Sequence, residues 1–224
     1  MSLKPITKQS ELNIGVIGHV DHGKTTIVKS LTGTWTSSHS EELRRGITIK
    51  IGYADMPIYE CISSNSNVKY TTKPEKHGCK NKHSLKRVTS IVDCPGHESL
   101  MANMLSGAAL MDAAILVISA NEPVPRPQTK EHIVALNILG VKNLIIVQNK
   151  IDLVSKDEAM KNYNNIKKFL DNANLKNVPI IPVSAIHNLN TDVLLNYIQE
   201  NFSTPKSNNG KSLSMYTIRS FDIN

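Results

Sequence analysis

The feature that most restricts the fold of this 224-residue chain is an eight-residue segment, 18–25, that fits the pattern GxxxxGK[ST]. It follows an apolar segment, 12–17, that predicts a strand, and it opens an amphipathic segment, 24–31, that predicts a helix. This order predicts a phosphate-binding loop, in which Lys24 reaches the terminal phosphates and the Thr25 hydroxyl ligates magnesium. The residues expected to contact phosphate are Gly18, His19, Val20, Asp21, His22, Gly23, Lys24, Thr25 and Thr26.

Apolar and amphipathic segments alternate along the rest of the chain. The predicted strands are 12–17, 88–92, 113–119, 144–148 and 180–183. The predicted helices are 24–31, 99–106, 128–139, 157–172 and 191–202, the last with Asn190 as its cap. Such an alternation predicts an α/β fold of the P-loop NTPase class, with a mostly parallel sheet covered by helices on both faces.

A second motif, DxxG, follows the predicted strand 88–92 and begins at Asp93. Aspartate and glycine are common in turns, so the motif alone is a weak signal. Its place at a strand end, in a chain that also has the phosphate loop, makes it a strong one. There the Asp93 carboxylate can hold magnesium through a water molecule, and Gly96 can offer its N–H to a terminal phosphate.

A third motif identifies the base. Asn149, Lys150 and Asp152 follow the predicted strand 144–148, and an aspartate there can accept from N1–H and the N2 amine of guanine. Adenine has neither donor, so ATP would leave a desolvated carboxylate unpaired, at a cost of about 1–3 kcal/mol or more. We therefore predict GTP, against the alternative of an ATP-using P-loop kinase or ATPase. The turn expected to meet guanine O6 is Ser184, Ala185 and Ile186.

The composition predicts one principal domain with shorter flanking segments. We expect an N-terminal tail at 1–10, the nucleotide-binding domain at 11–203, and a polar insertion within it at about 59–86. A Pro-, Ser-, Asn- and Gly-containing segment, 204–212, has linker composition, and 213–224 is expected to begin a second, truncated domain.

Charge and cysteine content bear on partners and compartment. The formal net charge of +7 favours RNA or another polyanion, although a basic soluble protein without such a partner is about as plausible. Three cysteines, Cys61, Cys79 and Cys94, cannot all pair, which favours a reducing compartment. Because no apolar segment is long enough to span a membrane, we expect no membrane partner and a cytoplasmic location.

Three segments together resemble the translational GTPases, a family that includes elongation factor Tu. They are His-Val-Asp-His-Gly at 19–23, Arg-Gly-Ile-Thr-Ile at 45–49 and Asp-Cys-Pro-Gly-His at 93–97. Longer segments resemble the gamma subunits of archaeal and eukaryotic translation initiation factor 2; they lie at 39–54, 104–112, 120–123 with 127–132, and 219–224. The resemblance implies a GTP-binding G domain, and it implies that 213–224 begins a β-barrel domain.

The resemblance also implies roles for particular residues. Thr48 corresponds to the switch I threonine that closes on magnesium and the γ-phosphate, and His97 to the switch II residue that orients the attacking water. With Lys24 these form the expected catalytic set. The implied cofactors are GTP or GDP and Mg²⁺, with Thr25, Thr48 and Asp93 at the metal, and Asp21 could approach a second cation.

The insertion departs from the family pattern. In archaeal relatives it commonly carries a zinc knuckle of two Cys-x-x-Cys pairs, whereas here Cys61 and Cys79 each lack the second cysteine. His77 or His83 could complete a site only at a spacing that differs from the usual one. We expect no zinc at this insertion.

By the same resemblance, the expected function is GTP-dependent delivery of initiator methionyl-tRNA to the small ribosomal subunit. The implied partners are the alpha and beta subunits of the same factor, a GTPase-activating factor and an exchange factor. Two alternatives stay open: an elongation-type factor for another aminoacyl-tRNA, such as the selenocysteine-specific one, and a GTP-binding, RNA-binding scaffold that hydrolyses GTP weakly.

Overall fold

The computed structural model describes residues 8–37, 42, 48–61, 69–74, 83–97, 111–138, 140–141 and 143–205. The strands are β1 Leu12–Gly18, β2 Gly52–Cys61, β3 Tyr70–Thr71, β4 His83–Asp93, β5 Ala113–Ser119, β6 Asn143–Asn149 and β7 Ile180–Pro182. The helices are α1 Lys24–Thr32, α2 Pro127–Ile138, α3 Lys156–Asn172 and α4 Thr191–Asn201, with a short 3-10 helix at Ile151–Leu153. Among these described helices, none is long and apolar enough to cross a membrane.

One sheet carries the fold, with the strand order β3-β2-β4-β1-β5-β6-β7. The pairs from β4 to β7 are parallel, whereas β2 runs antiparallel to both β3 and β4. The predicted α/β class with a mostly parallel sheet is therefore confirmed. Since parallel strands end at one edge, the three motifs that follow β1, β4 and β6 are brought to the same edge.

Helices cover both faces of the sheet, as predicted. On one face α1 and α4 bury Ile27, Val28, Leu194 and Ile198 against the apolar side chains of the strands. On the other face α2 and α3 contribute a separate core, which includes Ile133, Leu136, Ile166 and Leu170. Central strands buried on both sides are continuously apolar, and all seven residues of β5 are buried.

Sequence analysis missed β2 and β3. Only alternate residues of β2 are fully buried near its middle, at Ala54, Met56 and Ile58, and the strand contains Gly52 and Pro57, which are poor strand formers. Its pairing with β4 determines its conformation more than its own composition does. Both β2 and β4 extend into the predicted insertion 59–86, and β3 lies inside it.

The helix ends are fixed by local chemistry. Ser155 and Glu158 form a reciprocal capping box at the start of α3. Asn190 does occupy the cap position of α4, but the prediction that its side chain caps the helix is wrong. Asn190 adopts a left-handed conformation with φ of 60°, and its amide donates to Pro182 O at 2.9 Å. The predicted helix 99–106 lies outside the described residues.

A buried arginine fastens the end of α4 to the sheet. Arg87 of β4 is 6% exposed and donates from Nη1 to Phe202 O at 2.6 Å and from Nη2 to Ile198 O at 2.7 Å. It thereby gives a charged donor to two carbonyl groups at the C-terminus of α4, of which Ile198 O also accepts from Phe202 N at 3.1 Å.

We expect Arg87→Met to lower the free energy of unfolding by about 2–4 kcal/mol, because two carbonyls lose a charged donor. Arg87→Lys should rescue little, since an ammonium group cannot reproduce the two-pronged geometry. Urea unfolding followed by circular dichroism measures both effects. Lys86→Ala, which removes an exposed pairing with Glu60, is the control and should leave the midpoint unchanged.

Candidate nucleotide-binding site

A cavity of about 420 Å³ opens where β1 and β4 end. Most of its wall comes from the predicted phosphate loop, the two predicted switch segments and the base motif. The lining residues are Val20, Asp21, Gly23, Lys24, Thr25, Thr26, Trp35, Ser37, Glu42, Thr48, Gly96, His97 and Lys150. The structure thus brings together residues that lie more than a hundred positions apart in the chain.

The loop 18–25 has the backbone that its glycines allow. Gly23 has φ of 86°, and a Cβ there would lie 2.5 Å from Asn149 Nδ2. Gly96 approaches the loop so closely that a Cβ would overlap Lys24 Nζ and Gly18 O. Only glycine fits at these two points, and the backbone groups around them can therefore come close to a phosphate.

Lys24, the first residue of α1, is a buried cation with few compensating contacts. Its Nζ donates to His19 O at 2.8 Å, and the side chain is 6% exposed. Burial lowers the pKa of Lys24 to about 8, although the nearby Asp93 charge opposes that shift. An ammonium group held this way would gain greatly from an anion, because its desolvation has already occurred.

The three predicted magnesium ligands form one cluster. Thr25 Oγ1 donates to Asp93 Oδ2 at 2.8 Å and lies 3.0 Å from Thr48 Oγ1. Asp93 is fully buried, and its Oδ1 has no hydrogen-bond partner among the described residues. Burial raises the pKa of Asp93, while hydroxyl donors oppose the shift. Mg²⁺ binds oxygen ligands and keeps several of its waters, so two hydroxyls and a carboxylate with one unpaired oxygen are suitable ligands for it.

Two further hydroxyls complete the cluster, and sequence analysis missed both. Thr36 Oγ1 donates to Asp93 Oδ2 at 2.5 Å, and Ser37 Oγ lies 3.1 Å from Thr48 Oγ1. A Cβ on Gly52 would lie 2.6 Å from Thr36 Cβ, so the start of β2 needs glycine here. No motif marks residues 34–37, which have no regular secondary structure, and only the fold brings them to Asp93.

The His22 side chain does not face the cavity. It is 1% exposed, and its Nδ1 lies 2.9 Å from Val117 O on β5. Its Nε2 lies 3.4 Å from Glu122 Oε2 without hydrogen-bond geometry. Burial lowers the pKa of His22. The predicted phosphate contact at this position can therefore involve only the backbone, while the imidazole ties the loop to the sheet.

Asn149 connects the phosphate loop to the predicted base turn. Its Nδ2 donates to His22 O at 2.9 Å, and its Oδ1 accepts from Ala185 N at 3.2 Å. Asn149 is 2% exposed, so this amide is a structural tie between the two segments. Lys150, the next residue, has φ of 61° and lies in the cavity wall.

The residues predicted to contact guanine are not among those that line the cavity. Asp152 is in the 3-10 helix, with Oδ2 4.0 Å from His187 Nε2. The Ser184 hydroxyl is close enough to lower the pKa of Asp152, although it has no well-aligned partner among the described residues. Ile186 is 67% exposed, and its apolar side chain is open to solvent beside Ala185.

Among the described residues, the candidate zinc ligands do not form a metal site. Cys61 ends β2 and is disulfide-bonded, whereas Cys94 is free and buried. Cys79 lies outside the described residues. Within the part of the chain that the structure describes, no group of three or more His, Cys, Asp or Glu side chains could hold a metal ion. The expectation about zinc stays a prediction.

The sheet, the phosphate loop and the carboxylate at the end of β4 define a P-loop domain of the GTPase class. The family model described as "Elongation factor Tu GTP binding domain" matches residues 9–204. The chain belongs to this family.

Curated relatives include the translation initiation factor 2 gamma subunits of Pyrococcus furiosus, 55% identical, and Methanocaldococcus jannaschii, 56% identical. Each match covers 100% of this chain and 54% of the relative, so the chain spans about half the length of these proteins.

Solved structures of related factors have the same fold. A bacterial selenocysteine-specific elongation factor, EF-Sec, matches with a TM-score of 0.69 and 31% identity, over 86% of this chain and 28% of that chain. Elongation factor SelB from Methanococcus maripaludis, in complex with the GTP analogue GppNHp, matches with a TM-score of 0.66 and 28% identity. That match covers 92% of this chain and 37% of the other.

Proposed function

We propose that this chain is the GTP-binding and GTP-hydrolysing part of a translation initiation factor 2 gamma subunit. The observation that carries the proposal is the cluster of Thr25, Thr48 and Asp93 beside the buried Lys24. It joins the loop that would hold the phosphates to both segments that would sense the terminal one.

In this proposal the hydroxyls of Thr25 and Thr48 would hold Mg²⁺, and Asp93 would hold it through water. When bound, it supplies positive charge to the phosphate oxygens. The chain's own groups do the rest. Lys24 neutralises the terminal phosphates, the Gly96 N–H donates to the γ-phosphate, and Asp21 faces the cavity where a second cation could bind.

Hydrolysis would act as a switch because the contacts of Thr48 and Gly96 depend on the γ-phosphate. His97 lies in the cavity wall next to Gly96, where it can orient a water for attack. Loss of the phosphate would release both segments. Intrinsic hydrolysis is expected to be slow until a GTPase-activating partner completes the site.

His97→Ala is expected to slow ribosome-stimulated GTP hydrolysis by about 100-fold, because it removes the group that orients the attacking water. GTP affinity should change less than about threefold, since His97 contributes no predicted ligand to the phosphates. Single-turnover hydrolysis and equilibrium nucleotide binding give the two numbers. Equal hydrolysis rates in variant and wild type would remove His97 from the mechanism.

The proposed tRNA cargo rests on similarity to the relatives and not on the geometry of the nucleotide site. The gamma subunits are about 55% identical to this chain, against 31% and 28% for the elongation factors EF-Sec and SelB. We therefore propose delivery of initiator methionyl-tRNA to the small ribosomal subunit, together with alpha and beta subunits and an exchange factor. A selenocysteine-type cargo is the second candidate, because one structural neighbour above is a selenocysteine-specific elongation factor.

Filter binding tests the cargo. The full-length protein of which this chain is proposed to be the GTP-binding part, loaded with GTP or GDP, is titrated with initiator methionyl-tRNA, elongator methionyl-tRNA and selenocysteinyl-tRNA. A GTP-dependent preference for the initiator supports the proposal. Equal binding, or a preference for either other tRNA, overturns the cargo and leaves the GTPase assignment untouched.

A further inference from the structure

A buried carboxylate to which sequence analysis gave no role lies in the wall of the cavity. Glu42 is 3% exposed, and its Oε1 accepts hydrogen bonds from two consecutive backbone groups, Ile49 N and Lys50 N, each at 2.9 Å. These are the first two residues after Thr48. Glu42 therefore bonds to the backbone directly beside the switch threonine.

A carboxylate is costly to bury unless donors compensate it. Here one oxygen is bonded to two adjacent N–H groups, an arrangement in which a charged acceptor shortens and strengthens both bonds. Two adjacent N–H groups that share one acceptor restrict the backbone of residues 49 and 50. Since Thr48 precedes them directly, its Cα position is restricted too.

The hydroxyl of Thr48 lies where the cation site needs it. It is 3.0 Å from Thr25 Oγ1 and 3.1 Å from Ser37 Oγ, and both contacts are between hydroxyl groups. Neutral hydroxyl contacts of this kind are weak. Glu42 holds the same segment through hydrogen bonds to a charged acceptor, so its contribution to the position of Thr48 should be the larger one.

We propose that Glu42 is a positioning residue for Thr48, and that it acts selectively on the triphosphate-bound state. The proposal rests on the proposed function, in which Thr48 contacts the cation and the γ-phosphate only when GTP is bound. Because GDP makes no use of Thr48 in that scheme, loss of Glu42 should reduce affinity for GTP and spare affinity for GDP.

An alternative role of Glu42 is purely electrostatic. Its negative charge is close enough to contribute to the raised pKa of Asp93, so it could act as one more anion near a cation. The two roles differ in what glutamine does at this position. An amide oxygen keeps the acceptor for Ile49 N and Lys50 N but carries no charge.

The experiment compares Glu42→Ala, Glu42→Gln and Glu60→Ala in the full chain. Glu60 lies on β2, eight residues from the cavity end of the strand, and pairs with exposed Lys86, so its variant is the matched control. Affinities for a non-hydrolysable GTP analogue and for GDP are measured at saturating Mg²⁺. Fluorescence of Trp35, the single tryptophan, which lies in the cavity wall, gives an independent signal.

We expect Glu42→Ala to lower affinity for the GTP analogue about tenfold and to change affinity for GDP less than about twofold. Glu42→Gln should recover part of the loss, because the amide oxygen keeps both hydrogen bonds but lacks the charge that strengthens them, and Glu60→Ala should match wild type. The Trp35 signal should separate the GTP-analogue and GDP complexes in wild type, and less so in Glu42→Ala.

Several results would overturn the proposal. One is an equal loss of GTP-analogue and GDP affinity in Glu42→Ala, which would indicate general damage to the site. Another is a Glu42→Gln variant as defective as Glu42→Ala, which would make charge the cause. If the wild-type chain itself binds no GTP analogue, the proposed function fails instead, so the two failures are distinguishable. Thermal unfolding of each variant identifies one that fails to fold, and Glu42→Gln then provides the test.

Discussion

Asp152→Asn is expected to weaken GTP binding by about 100-fold or more and to create a preference for xanthosine triphosphate. The carboxylate would accept from two donors on guanine, and hydrogen bonds to a charged acceptor are worth about 1.5–3 kcal/mol each. An asparagine presents an N–H₂ group where guanine also presents a donor. Xanthine has an oxygen at C2, which can accept from that amide.

The structure supplies the conditions for such a reversal. Asp152 lies in the 3-10 helix after Lys150 and is exposed, so its carboxylate would lose water when a base covers it. The low pKa of Asp152 keeps it ionised at neutral pH. Both nucleotides would share the same phosphate contacts, so the substitution should change base preference without abolishing binding.

Competition between labelled GTP and unlabelled xanthosine, guanosine and adenosine triphosphates measures the preference. Asp171→Asn, at an exposed position near the end of α3, is the control and should behave as wild type. An unchanged preference for guanine in Asp152→Asn would contradict the assignment of the base site. A gain in ATP affinity would reopen the ATP-using alternative.

Much of this site could be predicted because it depends on contiguous sequence. The phosphate loop follows a buried strand and opens a helix, so its position follows from local pattern alone. Asp93 and Asn149 likewise end strands, β4 and β6, whose last residues are mostly buried. Where several parallel strands end together, their trailing residues share one edge.

Contacts made by residues outside the predicted helices and strands could not be predicted in this way. Thr36, Ser37 and Glu42 lie between α1 and β2, where no periodicity places a side chain. The Ser37 hydroxyl is 11 positions from its partner Thr48, and the Thr36 hydroxyl is 57 positions from its partner Asp93. Each side chain is of a type that is usually solvated on a surface, and only the closed fold turns it into a buried donor or acceptor.

His22 illustrates the reverse case, in which a motif identifies a residue but not the direction of its side chain. The loop pattern places the backbone, and the positive φ of Asp21, 63°, turns the chain before His22. The imidazole then lies beneath the loop and bonds to Val117 O. Sequence position alone cannot distinguish a side chain that faces a ligand from one that supports the loop.

Lys24→Met is expected to lower affinity for GTP and GDP by more than about 100-fold, because the terminal phosphates lose their buried ammonium group. The same substitution should leave the nucleotide-free protein as stable as wild type, or more stable. The difference between an ordinary lysine pKa of 10.5 and the value of about 8 here corresponds to a burial cost of about 3 kcal/mol. Methionine has similar length and removes that cost.

Lower nucleotide affinity together with unchanged or higher stability distinguishes a ligand-binding role of Lys24 from a structural one. The Lys24→Met variant would forfeit only the bond to His19 O, which is worth less than the cost of burying the charge. The melting temperature of the nucleotide-free variant should therefore rise by about 2–6 °C. Added GTP should raise the melting temperature of wild type but should have little effect on that of the variant. Lys29→Met, at an exposed position on the same helix, is the control and should keep its GTP response. A Lys24→Met variant that unfolds several degrees below wild type without nucleotide would show that the ammonium group stabilises the fold. That result would contradict its assignment as a group that destabilises the nucleotide-free fold and serves to bind phosphate.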